Sequence, residues 1–433
     1  MENILAQAKK VAEEAEVFQV TSEETPIQFE ANRLKHIQSK QRTAVALRLV
    51  KQGKLGYATA TRLDDSETLV RMAAETAQFG MDVKFDFPTP TTYPHIAVFD
   101  PAVGKVPIEA MVTLGEELLA ILRRHTPELL CHAWVNKSVT SVKIMNSRGG
   151  QASYQQTTFS LSIWGNLIRE TDMLFVGDSE SDCHPITRPD VVAGAVIEQL
   201  ERAKNRAVAP TKSLPVIFTP DGVAGALMPS LMAAFNGKLV LEGASPIGSK
   251  LGQSCFDAKL SLRDDPTVAY RPTSRPCDDE GVPSQLTSLV EQGVVRNFLY
   301  DLQTAARANK QSTGNGQRSG SSLPSPAPSA FIITPGNTTF AEMVSDMQEG
   351  LVIEQLMGAE QGNILGGDFS GNVLLGYKVE HGKITGRVKD TMVSGNVYRL
   401  LKNINAIGSD TKWVDDSVNT PSLYLSGLSV AGK

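Results

Sequence analysis

Histidine, the commonest protein ligand of zinc, is scarce in this sequence. The 433 residues include six histidines, at positions 36, 95, 125, 132, 184 and 381. None of them precedes a glutamate, and the closest pair, His125 and His132, is seven residues apart. A hydrolytic zinc site usually takes two histidines one helical turn apart, with a glutamate base beside them. The sequence therefore predicts no metal ligand and no catalytic residue in this chain.

Cysteine is equally sparse, and long apolar runs are missing. The four cysteines form no CxxC pair, which favours reduced thiols in the cytoplasm over a disulfide framework. No stretch approaches the ~18 apolar residues of a membrane helix. The first residues also lack the apolar core of a signal peptide. We therefore expect a cytoplasmic protein that makes no contact with a membrane.

Positive charge is not in excess, and the common catalytic motifs are missing. The net charge is −5 and the isoelectric point about 5.8, so no basic surface for a nucleic acid is indicated. The chain has no GxSxG nucleophile elbow and no Walker A or dinucleotide-binding loop. Hydrophobic residues make up 41% of the sequence, which provides for a sizeable core and, at this length, for two domains.

The hydrophobic periodicity predicts an α+β fold with two parts. The first part is a helix and sheet domain over residues 1–205, and the second is a β-rich domain over residues 214–433. A polar stretch at 205–213 separates them. Helices are expected at 2–16, 66–79, 108–124, 189–204 and 222–235, and from a capping box at Thr339 to about Glu349. Strands are expected at 43–50, 56–61, 129–136, 139–146, 152–164, 214–220, 294–300, 330–334 and 373–379.

Three short motifs follow one another between residues 277 and 320. They are a DDEG-x-P element at Asp278–Pro283, a Leu-x-Glu-x-Gly turn at Leu289–Gly293 and an STGN loop at Ser312–Asn315. In this order and spacing they resemble the TldD/PmbA family, which is also named for modulation of DNA gyrase. Further matching segments lie at 366–384, 394–410 and 423–433.

The family has a branch with a zinc motif and a branch without it. TldD-like members carry HExxxH on a helix after a buried strand, and a zinc-binding cysteine near the C-terminus. Here Met228, Pro229 and Ala233 stand in place of the motif, and the last cysteine is Cys277. The chain therefore resembles the PmbA/TldE branch. The resemblance implies a non-catalytic, cytosolic subunit without its own cofactor. Its partner would be a TldD-like, zinc-bearing subunit or a second copy, in a peptidase that cleaves small or unfolded peptides.

The substrate path is predicted around two of the motifs. The 311–329 segment is rich in Gly, Ser and Pro, which predicts a long exposed loop. We expect Ser312, Gly314 and Asn315 to line the path of a peptide, and Asn315→Ala to leave stability nearly unchanged. We expect the carboxylates of Asp278, Asp279 and Glu280 to meet a basic side chain or the amino terminus of the substrate.

Other interpretations of the same residues stay open. The loop can be a mobile surface segment, and the acidic run a solvated turn or a site for a divalent cation. The chain as a whole can be a stand-alone peptide-binding or chaperone-like module that grips extended chains through sheet edges. It can also be an enzyme whose centre uses the carboxylates of residues 278–280.

Overall fold

The structure is a computed structural model that describes residues 1–62, 65–170 and 172–432. Its helices are α1 Glu2–Ala8, α2 Ser66–Thr76, α3 Pro101–Lys105, α4 Ile108–His125, α5 Asp190–Arg202, α6 Pro220–Ala226, α7 Met228–Ala234, α8 Gly237–Leu241, α9 Leu302–Arg307, α10 Phe340–Asp346 and α11 Val397–Leu400, with 3-10 turns at Ala77–Phe79 and Ala359–Gln361. Its strands are β1 Glu14–Glu30, β2 Arg33–Ile37, β3 Lys40–Lys51, β4 Lys54–Ala60, β5 Leu130–Asn146, β6 Gln151–Arg169, β7 Asp172–Asp182, β8 Arg206–Ala207, β9 Lys212–Phe218, β10 Leu262–Asp264, β11 Thr287–Glu291, β12 Val294–Val295, β13 Gly316–Gln317, β14 Ser325–Pro326, β15 Phe331–Ile333, β16 Glu349–Met357, β17 Asp368–Glu380, β18 Lys383–Val388, β19 Met392–Asn396, β20 Ile404–Val414 and β21 Val418–Ala431.

The first seven strands form one antiparallel sheet in the order β4-β3-β1-β5-β6-β7, with β2 paired to β1. Helices α1 and α2 bury Ile4, Leu5 and Leu69 against one end of this sheet. Helices α4 and α5 cover the other end, where Phe29 and Phe159 lie in the core. Since apolar side chains alternate along the strands, one face of the sheet can pack under these helices.

The second sheet takes its strands from residues 206–431 and is mainly antiparallel. Its central path runs β12-β11-β10-β15-β21-β9-β16-β17-β18-β8, and three pairs, β15–β21, β16–β9 and β18–β8, are parallel. Its residues Val352, Leu375 and Tyr377 share a core with those of α4 and α5. Helix and sheet are therefore present in both parts, which confirms the predicted α+β class, while the domain limits 1–205 and 214–433 stay a prediction.

The largest difference from the sequence prediction lies near the N-terminus. The helix expected over 2–16 ends at Ala8, and the seventeen-residue strand β1 begins at Glu14. Residues 15–18 are all buried, so burial does not alternate along this stretch. Pairing with β3 and β5 on both sides makes it a strand. The strands expected at 129–136 and 139–146 form the single strand β5.

Several local predictions are confirmed. The capping box joins Thr339 and Glu342 at the start of α10, which ends at Asp346. The sequence pattern at residues 49–54, 289–294 and 378–383 indicates hairpins, and each turns at a residue pair with positive φ that ends in glycine.

No helix in the described ranges is both long enough and apolar enough to cross a membrane.

Candidate functional site

A buried ion pair on the first sheet begins the candidate site. Glu16 of β1 and Arg48 of β3 face each other across the two strands. Arg48 donates from Nε and Nη2 to the two carboxylate oxygens of Glu16, at 3.0 and 2.7 Å. Both side chains are buried, so the bidentate geometry offsets part of the cost of removing two charges from water.

Two residues of the second half of the chain complete this ion pair. Arg48 Nη1 donates to Glu280 Oε1 at 2.7 Å, and Arg318 Nη2 donates to Glu16 Oε1 at 2.5 Å. The Arg318 guanidinium also lies over the Phe18 ring, 4.9 Å from its centroid. The DDEG element and the segment after the STGN loop are therefore joined to the first sheet by alternating charges.

Asp278 organises the turn of the DDEG element. Its Oδ1 accepts hydrogen bonds from the N–H groups of Glu280 and Val282, at 3.0 and 2.9 Å. Its Oδ2 accepts from the Gly316 N–H at 2.8 Å. Gly281, at φ +76°, adopts the left-handed conformation that the turn requires. The Asp278 carboxylate thus ties its own turn to the STGN loop.

Asp279 and Glu280 extend the connection between turn and loop. Asp279 Oδ2 accepts from the Arg318 N–H at 2.8 Å, and Glu280 Oε2 accepts from the Leu302 N–H at 2.7 Å. A Cβ atom on Gly316 would lie 2.5 Å from Glu280 Oε2, so only glycine fits there. These contacts give the acidic run a structural role.

Asn315 is held on the opposite side of the loop. Its side-chain amide donates to Asp264 Oδ2 at 2.6 Å and to the Ala327 carbonyl at 3.1 Å. Asp264 Oδ1 accepts from the N–H groups of Ser329 and Ala330, at 2.7 and 2.8 Å. Asn315 is 1% exposed, so its hydrogen-bonding capacity is directed into the protein.

Burial also changes the protonation behaviour of the carboxyl groups. It raises the pKa of Asp264 and of Asp278 to about 6, against the lowering effect of their hydrogen-bond donors. Burial raises the pKa of Glu280 to about 8, while Arg48 acts to lower it. Burial opposes the charged form of Arg48, but Glu16 and Glu280 more than compensate and raise its pKa. The protonation of these carboxyl groups therefore depends on how deeply the fold buries them.

The predicted exposure of the loop is wrong for Gly314 and Asn315, which are buried. The reason is that Asp264, on β10, supplies a buried acceptor that the sequence pattern does not reveal. Asp278 and Glu280 are also fully buried, whereas Ser312 is half-buried and borders an open cavity of about 410 Å³. A role of these residues, with Asp279, in a substrate path stays a prediction.

The site contains residues that the sequence reasoning missed, namely Glu16, Arg48, Asp264 and Arg318. Their partners are far away along the chain: Arg48 and Glu280 are 232 positions apart, and Glu16 and Arg318 are 302. The one available signal was a charged residue inside an apolar strand run, as for Arg48 in TAVALRLV.

The helix in the position of the zinc motif has an apolar environment. Thr219 caps α6, and α7 follows immediately with Met228 buried in the core beside Leu231. Pro229 and Ala233 are half-buried. These three side chains offer no imidazole or carboxylate, so they do not fit a catalytic zinc ion. Within residues 1–62, 65–170 and 172–432, no group of three or more His, Cys, Asp or Glu residues is arranged to hold a metal.

Comparison with known proteins identifies the family. The PmbA/TldA metallopeptidase C-terminal domain matches residues 211–432, and domain 1 of the same family matches residues 15–78. The chain therefore belongs to the PmbA/TldD metallopeptidase family, as the sequence motifs indicate. Its resemblance to the PmbA/TldE branch is supported as well.

Individual relatives agree with this membership. An uncharacterised protein of Methanocaldococcus jannaschii is 26% identical and covers 96% of this chain and 98% of its own length. A metalloprotease PmbA homologue of Haemophilus influenzae is 29% identical, over 68% of this chain and 63% of its own. The fold matches the crystal structure of TldE from Thermococcus kodakarensis with a TM-score of 0.91 and 20% identity over the whole of both chains.

Proposed function

We propose that this chain is the non-catalytic subunit of a cytoplasmic zinc metallopeptidase that cleaves small or unfolded peptides. The observation that carries the proposal is the helix pair after β9. It lies in a metallopeptidase-family domain and has Met228, Pro229 and Ala233 at the place of the zinc motif. In this proposal the zinc is held by a TldD-like partner subunit, and this chain contributes shape and substrate contacts.

An exposed apolar face on the first sheet supports a partner subunit. Leu130, Trp164, Ile168 and Met173 lie on the face of β5, β6 and β7 that is not covered by α4 and α5. Trp164 is 49% exposed and Ile168 52%. Neighbouring exposed apolar side chains of this kind mark surfaces that contact other proteins. We assign the partner interface to this face.

Assembly with a zinc-bearing relative tests the proposal. The chain is mixed with an HExxxH-containing family member from the same organism and analysed by light scattering and by zinc-dependent cleavage of unfolded casein. We expect a stable complex, active only with both chains, and weaker assembly for Trp164→Glu. Val191→Glu, at a 66% exposed apolar residue on α5, is the matched control and should assemble normally. Two separate, monomeric species would contradict the proposal.

The zinc content of the isolated chain is a second test. We expect far less than one zinc per chain after dialysis, because Met228, Pro229 and Ala233 supply no imidazole or carboxylate at the place of the zinc motif. Elemental analysis of the purified chain measures this directly, with the HExxxH-containing relative as the positive control. About one tightly held zinc per chain would show that the assignment of a non-catalytic subunit is wrong.

A stand-alone peptide-binding module is the second candidate. The observation that favours it is a strand edge: β6 pairs with β7 from Phe159 onward, and no described strand pairs with its outer edge over residues 151–156. Beyond this stretch the Thr157 N–H donates to the Val98 carbonyl at 3.0 Å. A free edge can accept an extended peptide as a further strand. Peptide binding by the chain alone, without assembly with a zinc-bearing relative, would select this candidate.

A further inference from the structure

A small cavity lies between the two sheets, at the C-terminal ends of α4 and α5. Its walls come from the end of β6, the beginning of β7, the last turns of the two helices, and β8 and β18 of the second sheet. Its volume is about 180 Å³. One water molecule needs about 15 Å³, and sites for drug-sized ligands begin at about 300 Å³. The cavity therefore has room for a small ion or a small polar group.

Positive charge dominates the lining of this cavity. Among the described residues, the lining has four cationic side chains and one carboxylate, that of Asp172. The four cations are Arg169, Lys204, Arg206 and Arg387. The whole chain carries a net charge of −5, so the cavity reverses the overall charge locally. An anion is the kind of ligand that such a lining attracts.

Asp172 does not neutralise the cations around it. Arg387 Nη2 lies 2.5 and 2.6 Å from its two carboxylate oxygens, and Arg206 Nη2 lies 2.6 Å from Oδ2. Lys389 Nζ is 3.5 Å from Oδ1. Burial acts to raise the pKa of Asp172, but the hydrogen bonds from the two arginines lower it overall. Asp172 is therefore ionised, and its single negative charge is shared by three cations.

Arg387 is buried and has a donor to spare. Its side chain is 4% exposed, and its Nη1 donates to the Met173 carbonyl at 3.1 Å. Within the described parts of the chain, its buried Nε–H has no acceptor. The C-terminal ends of α4 and α5 carry partial negative charge that offsets some of the positive charge, yet this Nε–H stays unpaired. A buried donor without an acceptor is unfavourable, and an oxygen atom of a bound anion would supply one.

Two further cations lie at the exposed side of the cavity. Arg169 Nη2 is 3.1 Å from Glu128 Oε2, and both side chains are exposed. Lys204 Nζ is 2.5 Å from Glu201 Oε2, also at the surface. Exposed pairs of this kind contribute little to stability, so each cation can exchange its carboxylate for a doubly charged anion. The cavity thus combines fixed guanidinium groups with two adaptable cations.

We infer that this cavity binds a phosphoryl group, either as inorganic phosphate or as the end of a small phosphomonoester. The oxygens of a phosphate dianion can accept from guanidinium and ammonium groups at the same time. The inference goes beyond the proposed function and does not depend on it. Arg169 belongs to the first sheet, whereas Arg206 and Arg387 belong to the second. A bound phosphoryl group therefore also ties the two sheets together.

Isothermal titration calorimetry of the full chain measures the binding. Sodium phosphate and glycerol 3-phosphate are titrated separately at about pH 7.5, where a phosphate group is largely doubly charged, with sodium chloride holding the ionic strength constant. We expect one saturable site per chain with a submillimolar dissociation constant for phosphate. Equal affinity for both probes would identify a phosphomonoester site, and much weaker binding of glycerol 3-phosphate a site for the free ion. No saturable binding of either probe up to millimolar concentration would overturn the inference.

A double variant locates the site. Arg169→Ala combined with Lys204→Ala should weaken phosphate binding at least roughly tenfold, because two charge-assisted contacts are lost. The matched control combines Arg71→Ala and Lys212→Ala, which remove the same charge from two other exposed ion pairs. The control should bind phosphate as the wild type does. Equal affinities of the two double variants would overturn the assignment to this cavity.

Thermal unfolding gives an independent measurement. Phosphate also stabilises proteins by exclusion from their surface, so the comparison among variants isolates the effect of the site. When phosphate replaces chloride at equal ionic strength, the unfolding midpoint should rise more in the wild type and in the control than in the variant without Arg169 and Lys204. The same rise in all three proteins would indicate a general salt effect alone and contradict the inference.

Discussion

Asn315→Ala should destabilise the protein strongly, contrary to the expectation from a Gly- and Ser-rich loop. The substitution removes the 2.6 Å hydrogen bond to the Asp264 carboxylate, and bonds to charged groups contribute about 1.5–3 kcal/mol. It also leaves the Ala327 carbonyl without its side-chain donor, which costs on the order of 1 kcal/mol. Together these effects predict a loss of about 3 kcal/mol in the free energy of unfolding.

Urea unfolding followed by circular dichroism measures this loss. The matched control is Asn297→Ala, which removes the same amide from an exposed position where it donates to one backbone carbonyl at 3.3 Å. We expect the control to change stability by no more than ~0.5 kcal/mol. Equal stability of the two variants would refute the view that Asn315 stabilises the folded structure. Only the predicted role of Asn315 in the substrate path would then remain.

Three further predictions concern the same network and one turn. Glu16→Gln should cost about 3–5 kcal/mol in urea unfolding, because Arg48 and Arg318 then share a buried neutral partner; a loss below ~1 kcal/mol would contradict this. Gly293→Ala should cost clearly more than Gly53→Ala, since both have positive φ but only the former places a Cβ 2.3 Å from the Phe256 carbonyl; equal midpoints of thermal unfolding would refute the reasoning. The folded-state pKa of Asp264, about 6, is raised above its ordinary 3.8, so its contribution to stability is full below pH ~4 and lost as pH rises through 6. The difference in free energy of unfolding between the wild type and Asp264→Asn should therefore narrow from pH 5 to pH 8 in urea unfolding. A difference that widens with pH would contradict the predicted direction of the pH dependence.

Local patterns predicted several strands and several helices, among them β9, β15 and β17 of the second half. The capping box at Thr339 and the hairpin glycines are decided by contacts within a few residues, so the sequence alone contains the information. Strand β1 was missed because its apolar residues suit a helix as well as a strand until β3 and β5 pair with it. In such cases the pairing with distant strands decides between helix and strand, and a short stretch of sequence does not reveal that pairing.

The DDEG and STGN motifs were found from the sequence, but their environment was not. Polar composition predicted exposure, whereas Asp278 and Asn315 are buried and hydrogen-bonded. Composition fails here because burial of a polar side chain depends on partners that the fold supplies from elsewhere, as Asp264 and Arg48 do.

The buried network is physically connected to the groove of about 1010 Å³ between the first sheet and the segment 94–99. Pro276, in the groove wall, directly follows Arg275, which donates to the Ser329 hydroxyl at 3.2 Å and pairs with Asp279. Arg48 and Arg318 fix the same segment to the first sheet, which forms the other wall. Because both walls depend on these buried contacts, a weakened network should widen or distort the groove. The motifs that identify the family therefore hold the second half of the chain against the first sheet through buried contacts.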